Sequence, residues 1–355
     1  MIRVLQLELP PAAKLLEYLC QIDESRIYSN YGPLSEVFAK KLGDLTNAPG
    51  IVLTSSGTSA LELALRATTD GPGICMMPSY TFIATAHAVV NAGLTPYLLD
   101  IDESSLMLTP QLVLNELRKL PCMPKAVVPV SAFGAPIDTK GWDDFSVETG
   151  IPVAIDAAAA VTNLDYIGLS PICVSLHCTK VLGIGEGGAV LTSDMKLQSQ
   201  MKAMTGFGFT GQDRISHFRG GNSRMSEYAA AVGLAVLDHL PRRLDALKTL
   251  ATKYITEMSS NNSWLQKGIG SSWQAMTLNA IVPSATVTET EFRLDQAGIE
   301  WRRWWGFGTH SHPVFSELER SSLDVTNEIA PRVIGVPFHV AMNDNDIREV
   351  AGCLP

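Results

Sequence analysis

From residue 50 onward the chain alternates two hydrophobic patterns. Short continuous apolar runs ("GIVLTSS", "GICMMPS", "TPYLLD", "KAVVPV", "IPVAID", "ICVSLH" and "GGAVLTS") predict strands buried on both faces. Stretches such as "SALELALRA" and "ATAHAVVNAG" read as helix between them. This is the pattern of an α/β sheet covered by helices. After "GGNSRMS" it changes. Residues 226–258 read as long helix interrupted at Pro241. The remainder mixes short strands and helices and holds Trp264, Trp273, Trp301, Trp304 and Trp305. We place the lobe boundary near residue 228, with a large α/β domain over 1–228 and a smaller C-terminal domain over 229–355. No internal repeat or low-complexity tract is visible.

A chain of 355 residues, 46% of them hydrophobic, buries a large core, and its length suits two lobes. The net charge of −9, with no basic stretch to offset it, argues against a nucleic-acid partner. The six cysteines form no C-x-x-C pair; Cys173 and Cys178, in apolar surroundings, read as buried thiols of a reducing compartment. The N-terminus holds one Arg, then Glu8, Pro10 and Pro11, which does not suit a secretory signal. No apolar run reaches the roughly 18 residues of a membrane span. The expectation is a cytoplasmic globular protein with no membrane partner.

"SLHCTKVLGIGEGGAV" (175–190) carries two competing chemistries. Gly183, Gly185 and Gly188 fit G-x-G-x-x-G, the dinucleotide fingerprint. That fingerprint needs a helix after the glycines, and "GGAVLTSD" reads as a strand, so nicotinamide binding is disfavoured. Lys180, in contrast, follows an apolar strand, and ligands of open α/β sheets sit at such strand ends. A partly desolvated lysine there can lose its proton and attack an aldehyde; an exposed turn lysine is the ordinary alternative.

Other strand ends strengthen the first reading. Asp156 closes "VAID", where a carboxylate needs a partner, and a pyridinium nitrogen would be one. The ordinary alternative is a turn or cap. "LTSSGTSALEL" puts Ser56, Gly57 and Thr58 at a helix start, either as a phosphate cradle or as a plain N-cap. Phe82, just past "GICMMPS", could stack on a flat ring or fill the core.

The ordered segments "YGPLSEVFAKKL", "SSGTSALELAL", "PSYTFIATAHAV", "TPYLLDID", "PVSAFGAPID", "AIDAAAA", "SLHCTKVLGIGEGGAV", "GGNSRMSEYAAAVGL" and "WRRWWGFGTHSHPVF" resemble the DegT/DnrJ/EryC1/StrS family. The most specific motif is Ser-x-His-x-x-Lys followed by G-E-G-G. The resemblance implies an enzyme of the pyridoxal 5′-phosphate (PLP)-dependent transferase fold type I, with a doubly wound, mostly parallel sheet. Its activity would be transamination of nucleotide-linked keto-sugars. Lys180 would carry the cofactor as an internal aldimine and shuttle the proton, with Asp156 at the pyridine nitrogen and Phe82 on the ring. Ser56, Gly57, Thr58, Ser175 and His177 would complete the cofactor site. Asn222 would reach the cofactor phosphate of a neighbouring subunit, making the active unit a homodimer. His310 and the adjacent aromatic stretch would lie near the sugar. On residue type alone, "WRRWW" (301–305), with Arg302, Arg303, Trp304 and Trp305, could hold a sugar ring and a diphosphate through aromatic faces and two guanidinium groups, or equally be a core-and-surface strand.

The implied reaction moves an amino group from an amino acid, glutamate by default, to a dTDP-4-keto-6-deoxyhexose. The chain departs from the family pattern at Ala159, where Gln or His is common, and at Ser131, where many members have His. Members that dehydrate sugars replace the lysine with His, so Lys180 argues against a dehydratase or eliminase. A non-catalytic PLP-binding protein is a further alternative. Arg214, His217 and Arg219 form a small basic patch suited to a diphosphate or simply to solvent. His310-x-His312 lacks a third ligand nearby in sequence, so no metal is expected. Glu186 is open between loop orientation and acid–base work.

Overall fold

A computed structural model describes residues 1–259 and 264–355. Two helices, α1 (Ala12–Ser25) and α2 (Pro33–Thr46), precede the first strand. Seven strands follow: β1 (Gly50–Thr54), β2 (Ile74–Pro78), β3 (Thr95–Leu99), β4 (Ala126–Val127), β5 (Ile155–Asp156), β6 (Ile172–Ser175) and β7 (Gly188–Thr192). Between them run α3 (Gly57–Thr68), α4 (Ala84–Asn91), α5 (Pro110–Leu117) and α6 (Thr139–Thr149), and α7 (Met195–Thr205) follows β7.

One ladder has the order β3-β2-β4 and is parallel; the other has the order β1-β7-β6-β5. Isolated parallel bridges Val127–Val153 and Val130–Asp156 join them edge to edge. β7 runs antiparallel to both its neighbours, while β5 and β6 are parallel. The sheet is therefore mostly parallel and of the fold type I kind.

Successive residues along a strand point to opposite faces. Leu53, Met76, Leu99, Val127, Val174 and Leu191 pack into one core, while Val52, Cys75, Met77, Leu98, Cys173 and Val190 pack into a second. Helices cover both faces, which is why the strands read as continuous apolar runs. The "KAVVPV" run forms a shorter ladder than its pattern predicts, since only Ala126 and Val127 pair regularly with β2.

A short hairpin, β8 (Phe209–Thr210) and β9 (Ile215–Ser216), leads to α8 (Glu227–Leu237) and α9 (Leu240–Glu257). Pro241 stands in the first turn of α9, where its missing N–H costs no helical bond. A second sheet has the order β10 (Trp264–Leu265), β11 (Leu278–Ile281), β12 (Val333–Val336). It is accompanied by α10 (Val287–Gln296), α11 (Asp324–Ile329) and α12 (Asp344–Cys353).

The division at residue 228 falls at the start of α8, which packs on α1 and α2. The first residues of the chain, grouped with the large lobe by sequence, pair instead with the second lobe. Ile2 bridges Ile299, and the Phe338 amide donates to the Val4 carbonyl (3.1 Å). All six cysteines are free thiols. Cys173 is buried in β6, but Cys178 is only partly buried, because it lies on the loop beyond the strand with its sulfur 3.7 Å from His177 Nε2. The expectation of two buried thiols thus holds for Cys173 alone.

Among the described residues, no helix is long and apolar enough to cross a membrane. Among them too, no three His, Cys, Asp or Glu side chains are grouped to hold a metal ion.

Candidate active site

The C-terminal ends of β1, β2, β5 and β6 lie along one edge of the sheet, and the loops after them carry the chemistry. Gly188 is the ladder partner of both Thr54 and Ser175, which draws the ends of β1 and β6 together. Its lack of a side chain is required there, because a Cβ would run into the Ser56 carbonyl. Gly57 is held similarly: a Cβ would stand 2.7 Å from that of Ser175. Ser56, Gly57 and buried Ser175 are thus brought into one corner.

Ser56 caps α3, its hydroxyl accepting from the Ser59 amide at 3.0 Å. The N-cap reading of Ser56 is correct for its side chain. The amides of Gly57 and Thr58 head the helix behind it, at the positive end of the helix dipole.

Asp156 sits at the end of β5, buried. Thr85 Oγ1 donates to its Oδ2 (2.8 Å), and the Ala158 amide donates to its Oδ1 (3.1 Å). Burial pushes its carboxyl above the usual aspartate value; these two hydrogen bonds and the charge of Lys180 pull the other way. Lys180 shows the mirror image. Burial lowers its ammonium from the ordinary lysine value, and the Asp156 charge opposes this. The two groups therefore feel each other across a poorly solvated space. A lysine in that condition is predisposed to be a neutral nucleophile, and the carboxylate to welcome a further cation.

Lys180 is presented by a tight loop between β6 and β7. The Leu176 amide bonds the Gly187 carbonyl (2.9 Å), Cys178 bonds Gly185 (2.8 Å), and the Lys180 amide bonds the His177 carbonyl (2.8 Å). Gly185 has φ 102°, and Gly183 packs on the Cys178 backbone. The glycines build this loop, and β7 follows them where a dinucleotide fingerprint would need a helix. His177 closes the loop with its own side chain, Nδ1 lying 2.8 Å from Thr179 Oγ1 and Nε2 3.6 Å from Glu186. Glu186, largely exposed, faces His177.

Phe82 lies just past β2, and 54% of its surface is exposed, so its ring is not core. Asn222 is exposed too. It bridges Gly206 on the strand side, and its Oδ1 accepts from Arg224 Nη2 (2.9 Å). Within the chain it does not join the Lys180 corner. Arg214, His217 and Arg219 are exposed along the β8–β9 hairpin.

The Trp-rich segment divides. Arg302 is exposed and pairs through its backbone with Gly335, its guanidinium 5.4 Å from the Trp304 ring. Arg303 is bound to Glu291 on α10 and donates to the Val333 carbonyl (3.2 Å). Trp304 fills the space over Gly335. Arg303 and Trp304, expected near the substrate, are engaged in packing of the second sheet.

His310 bridges the lobes. Its Nδ1 is 2.8 Å from Ser79 Oγ at the end of β2, and its Nε2 is 3.1 Å from Asn327 Oδ1. The Asn327 oxygen can only accept, so Nε2 carries the proton and Nδ1 accepts from Ser79. Burial lowers the His310 value below that of an ordinary histidine, which keeps this neutral form.

Two side chains at this edge, Thr85 and Phe133, escape sequence reasoning, as does the pairing of Phe133 with Trp305. Thr85 is three residues after Phe82, on the first turn of α4, a spacing that could have pointed to Asp156. Phe133 and Trp305 stack at 3.9 Å with an interplanar angle of 21°, and nothing local in sequence joins them.

The donor set fits PLP: a partly buried lysine, a buried carboxylate ready for a cationic ring nitrogen, an exposed aromatic face, and helix-start amides with a serine hydroxyl for a phosphate.

Comparison with known proteins agrees. Residues 12–355 match the model of the DegT/DnrJ/EryC1/StrS aminotransferase family. The dTDP-4-amino-4,6-dideoxy-D-glucose transaminase of Shigella dysenteriae is 32% identical over 244 residues, 67% of this chain and 65% of that one. The UDP-2-acetamido-2-deoxy-3-oxo-D-glucuronate aminotransferase of Pseudomonas aeruginosa is 28% identical, over 91% of this chain and 90% of that one. Among solved structures, DesI in the presence of its TDP-sugar product superposes with a TM-score of 0.87 at 28% identity, covering 99% of this chain and 91% of that one.

Proposed function

The chain belongs to the DegT/DnrJ/EryC1/StrS aminotransferase family and is a PLP-dependent aminotransferase, and from that premise we propose its substrates and the roles of its residues. It transfers an amino group from L-glutamate to a nucleotide-linked keto-sugar, a dTDP-4-keto-6-deoxyhexose. The nucleotide-sugar class is supported by the names of its relatives, one acting on a dTDP-sugar and one on a UDP-sugar. The dTDP assignment rests on the greater identity of the first, 32% against 28%. The single observation that carries the site is that Asp156, the loop bearing Lys180 and the helix start at Ser56–Thr58 meet at adjoining strand ends.

Bound PLP supplies an aldehyde that takes up an amine and a ring that accepts the electron pair of a broken C–H bond. The chain does the rest. Lys180 Nζ, its ammonium lowered by desolvation, holds the cofactor at rest and afterwards takes and returns the proton of the substrate's reacting carbon. Asp156, oriented by the hydrogen bonds from Thr85 and the Ala158 amide, faces the ring nitrogen and holds a proton there. Phe82 covers one ring face and fixes its plane, so that the C–H bond can be broken in alignment. The amides of Gly57 and Thr58, with Ser56 and Ser175, hold the phosphate, and His177 keeps the lysine loop closed.

Asn222 works from the neighbouring copy of a homodimer. Its exposure on a segment next to bare Phe207, Phe209 and Ile215 supports that reading.

The test is the visible absorption spectrum of the holoenzyme before and after L-glutamate. A yellow band that bleaches, and returns when a dTDP-4-keto-6-deoxy sugar is added, is expected. A band that glutamate leaves untouched overturns the donor assignment, and a bleached band that no keto-sugar restores overturns the acceptor.

A further inference from the structure

The "FG" turn after β4 is held by side chains to which the cofactor site assigns no role. The turn starts beside the site: Val130 bridges Asp156, and the Ser131 amide donates to the Asp156 carbonyl (2.9 Å). Phe133 then adopts φ 55°, a left-handed conformation unusual for an aromatic residue, and Gly134 follows at φ 97°. A Cβ on Gly134 would stand 2.6 Å from the Ala159 carbonyl, so the turn is pressed onto the loop after Asp156.

The carbonyls on both sides of Phe133 are captured by amides. Gln266 Nε2 donates to the Ala132 carbonyl at 3.0 Å, and Asn163 Nδ2 donates to the Gly134 carbonyl at 2.7 Å. Asn163 also donates to the Gln274 carbonyl (2.9 Å) and accepts from the Gln274 amide (3.4 Å). Asn163 is 7% exposed and Gln266 8%. One buried amide thus joins the loop after Asp156, the turn after β4 and the second lobe. The product of this arrangement is the Phe133–Trp305 stack, with Tyr80 edge-on to both rings at 6.1 and 5.2 Å. Tyr80 is two residues before Phe82, so the aromatic group borders the cofactor's proposed place.

We propose that Asn163 is a positioning residue for the amino acceptor: it pins the Phe133 turn to the second lobe, so that buried Phe133 backs Trp305, whose partly exposed ring forms a rigid aromatic wall for the sugar ring. This rests on the nucleotide-sugar reading above. The C–H faces of a sugar suit aromatic faces, whereas glutamate, small and dominated by two carboxylates, has no ring face to lay against them. An amide is needed because two carbonyls must be met by N–H donors and one N–H by an oxygen. Aspartate, of the same shape, would turn an oxygen toward those carbonyls.

The experiment separates the two half-reactions by stopped-flow absorbance on holoenzyme, comparing wild type with Asn163→Asp and Trp305→Leu. Glutamate drives the first half. The acceptor is whichever of dTDP-, UDP- or GDP-linked 3- and 4-keto sugars the wild type aminates. Both variants are expected to keep the glutamate half within about twofold, while the half-saturating acceptor concentration rises by about tenfold or more. Equal losses in both halves, or none in either, overturn the proposal. If Asn163→Asp does not fold, Trp305→Leu decides alone. A wild type that aminates none of these sugars defeats the nucleotide-sugar reading, and this inference with it, before any variant is compared.

Discussion

The Lys180 loop and the Trp-rich segment 301–310 both attract attention by residue type, and they behave differently. In the first, the reactive residue, the glycines and the phosphate-side serine are all set by backbone within a few positions of one another. Gly183 and Gly185 have local reasons to be glycine, and Lys180 lies where the loop must present it. In the second, neighbouring residues face different surroundings. Arg303 is bound to α10, Trp304 covers Gly335, Trp305 stacks on Phe133, and His310 reaches Ser79 in the other lobe. A compact motif reports its chemistry directly; a segment spanning two lobes reports it only after the fold has decided which side chain faces which way.

The comparison breaks most sharply at Lys180. Lys180→Ala is expected to lower turnover by more than about 10³-fold while thermal unfolding shows an intact fold, since the change removes both an amine nucleophile and a proton carrier. Near-normal turnover by this variant would remove the loop from the chemistry.

The next effect separates two adjacent arginines. Arg303 and Glu291 are 14% and 24% exposed at their side chains, so Arg303→Ala leaves a carboxylate poorly solvated and should cost about 2 kcal/mol of stability. Arg302→Ala, which loses only an exposed contact over Trp304, should cost about 0.5 kcal/mol or less. Denaturant midpoints measure both, and equal losses would contradict the division of the segment.

The smallest effect sharpens the picture at His310. Its folded-state value is lowered by burial and by the Arg320 and His312 charges, against the pull of Asn327 and Asp100. As pH falls below about 6.5, the unfolded chain takes up the proton first, so the folded state loses stability until its own lowered value is passed. The melting temperature should fall by roughly 1–2 °C more in wild type than in His310→Gln between pH 7 and 5. Parallel curves would show that His310 does not bridge the lobes as a neutral ring.

Much of the large lobe was legible because its signals are local. Strands buried on both faces announce themselves as unbroken apolar runs, and Ser56 and Pro241 mark helix starts by their own chemistry. Asp156 and Phe82 could be placed because a strand end is visible in the run that precedes it. Thr85 was missed although it is near Phe82 in sequence, because its role depends on where β5 lies in the sheet, beside β4 and one strand away from β2. The pairing of residues 1–4 with the second lobe could not be read at all, since Ile2 and Ile299 are separated by nearly the whole chain.

By itself, then, the sequence determined which strand ends carry a lysine, a carboxylate and a serine-capped helix start, since each depends on a few consecutive residues and the hydrophobic period around them. Only the tertiary structure decided that Lys180 and Asp156 perturb each other, that Asn163 joins three loops, and that Trp305 rather than Trp304 meets Phe133. Those outcomes depend on burial and on contacts between residues far apart in the chain, quantities that come into existence only when strand ends and loops distant in sequence pack together.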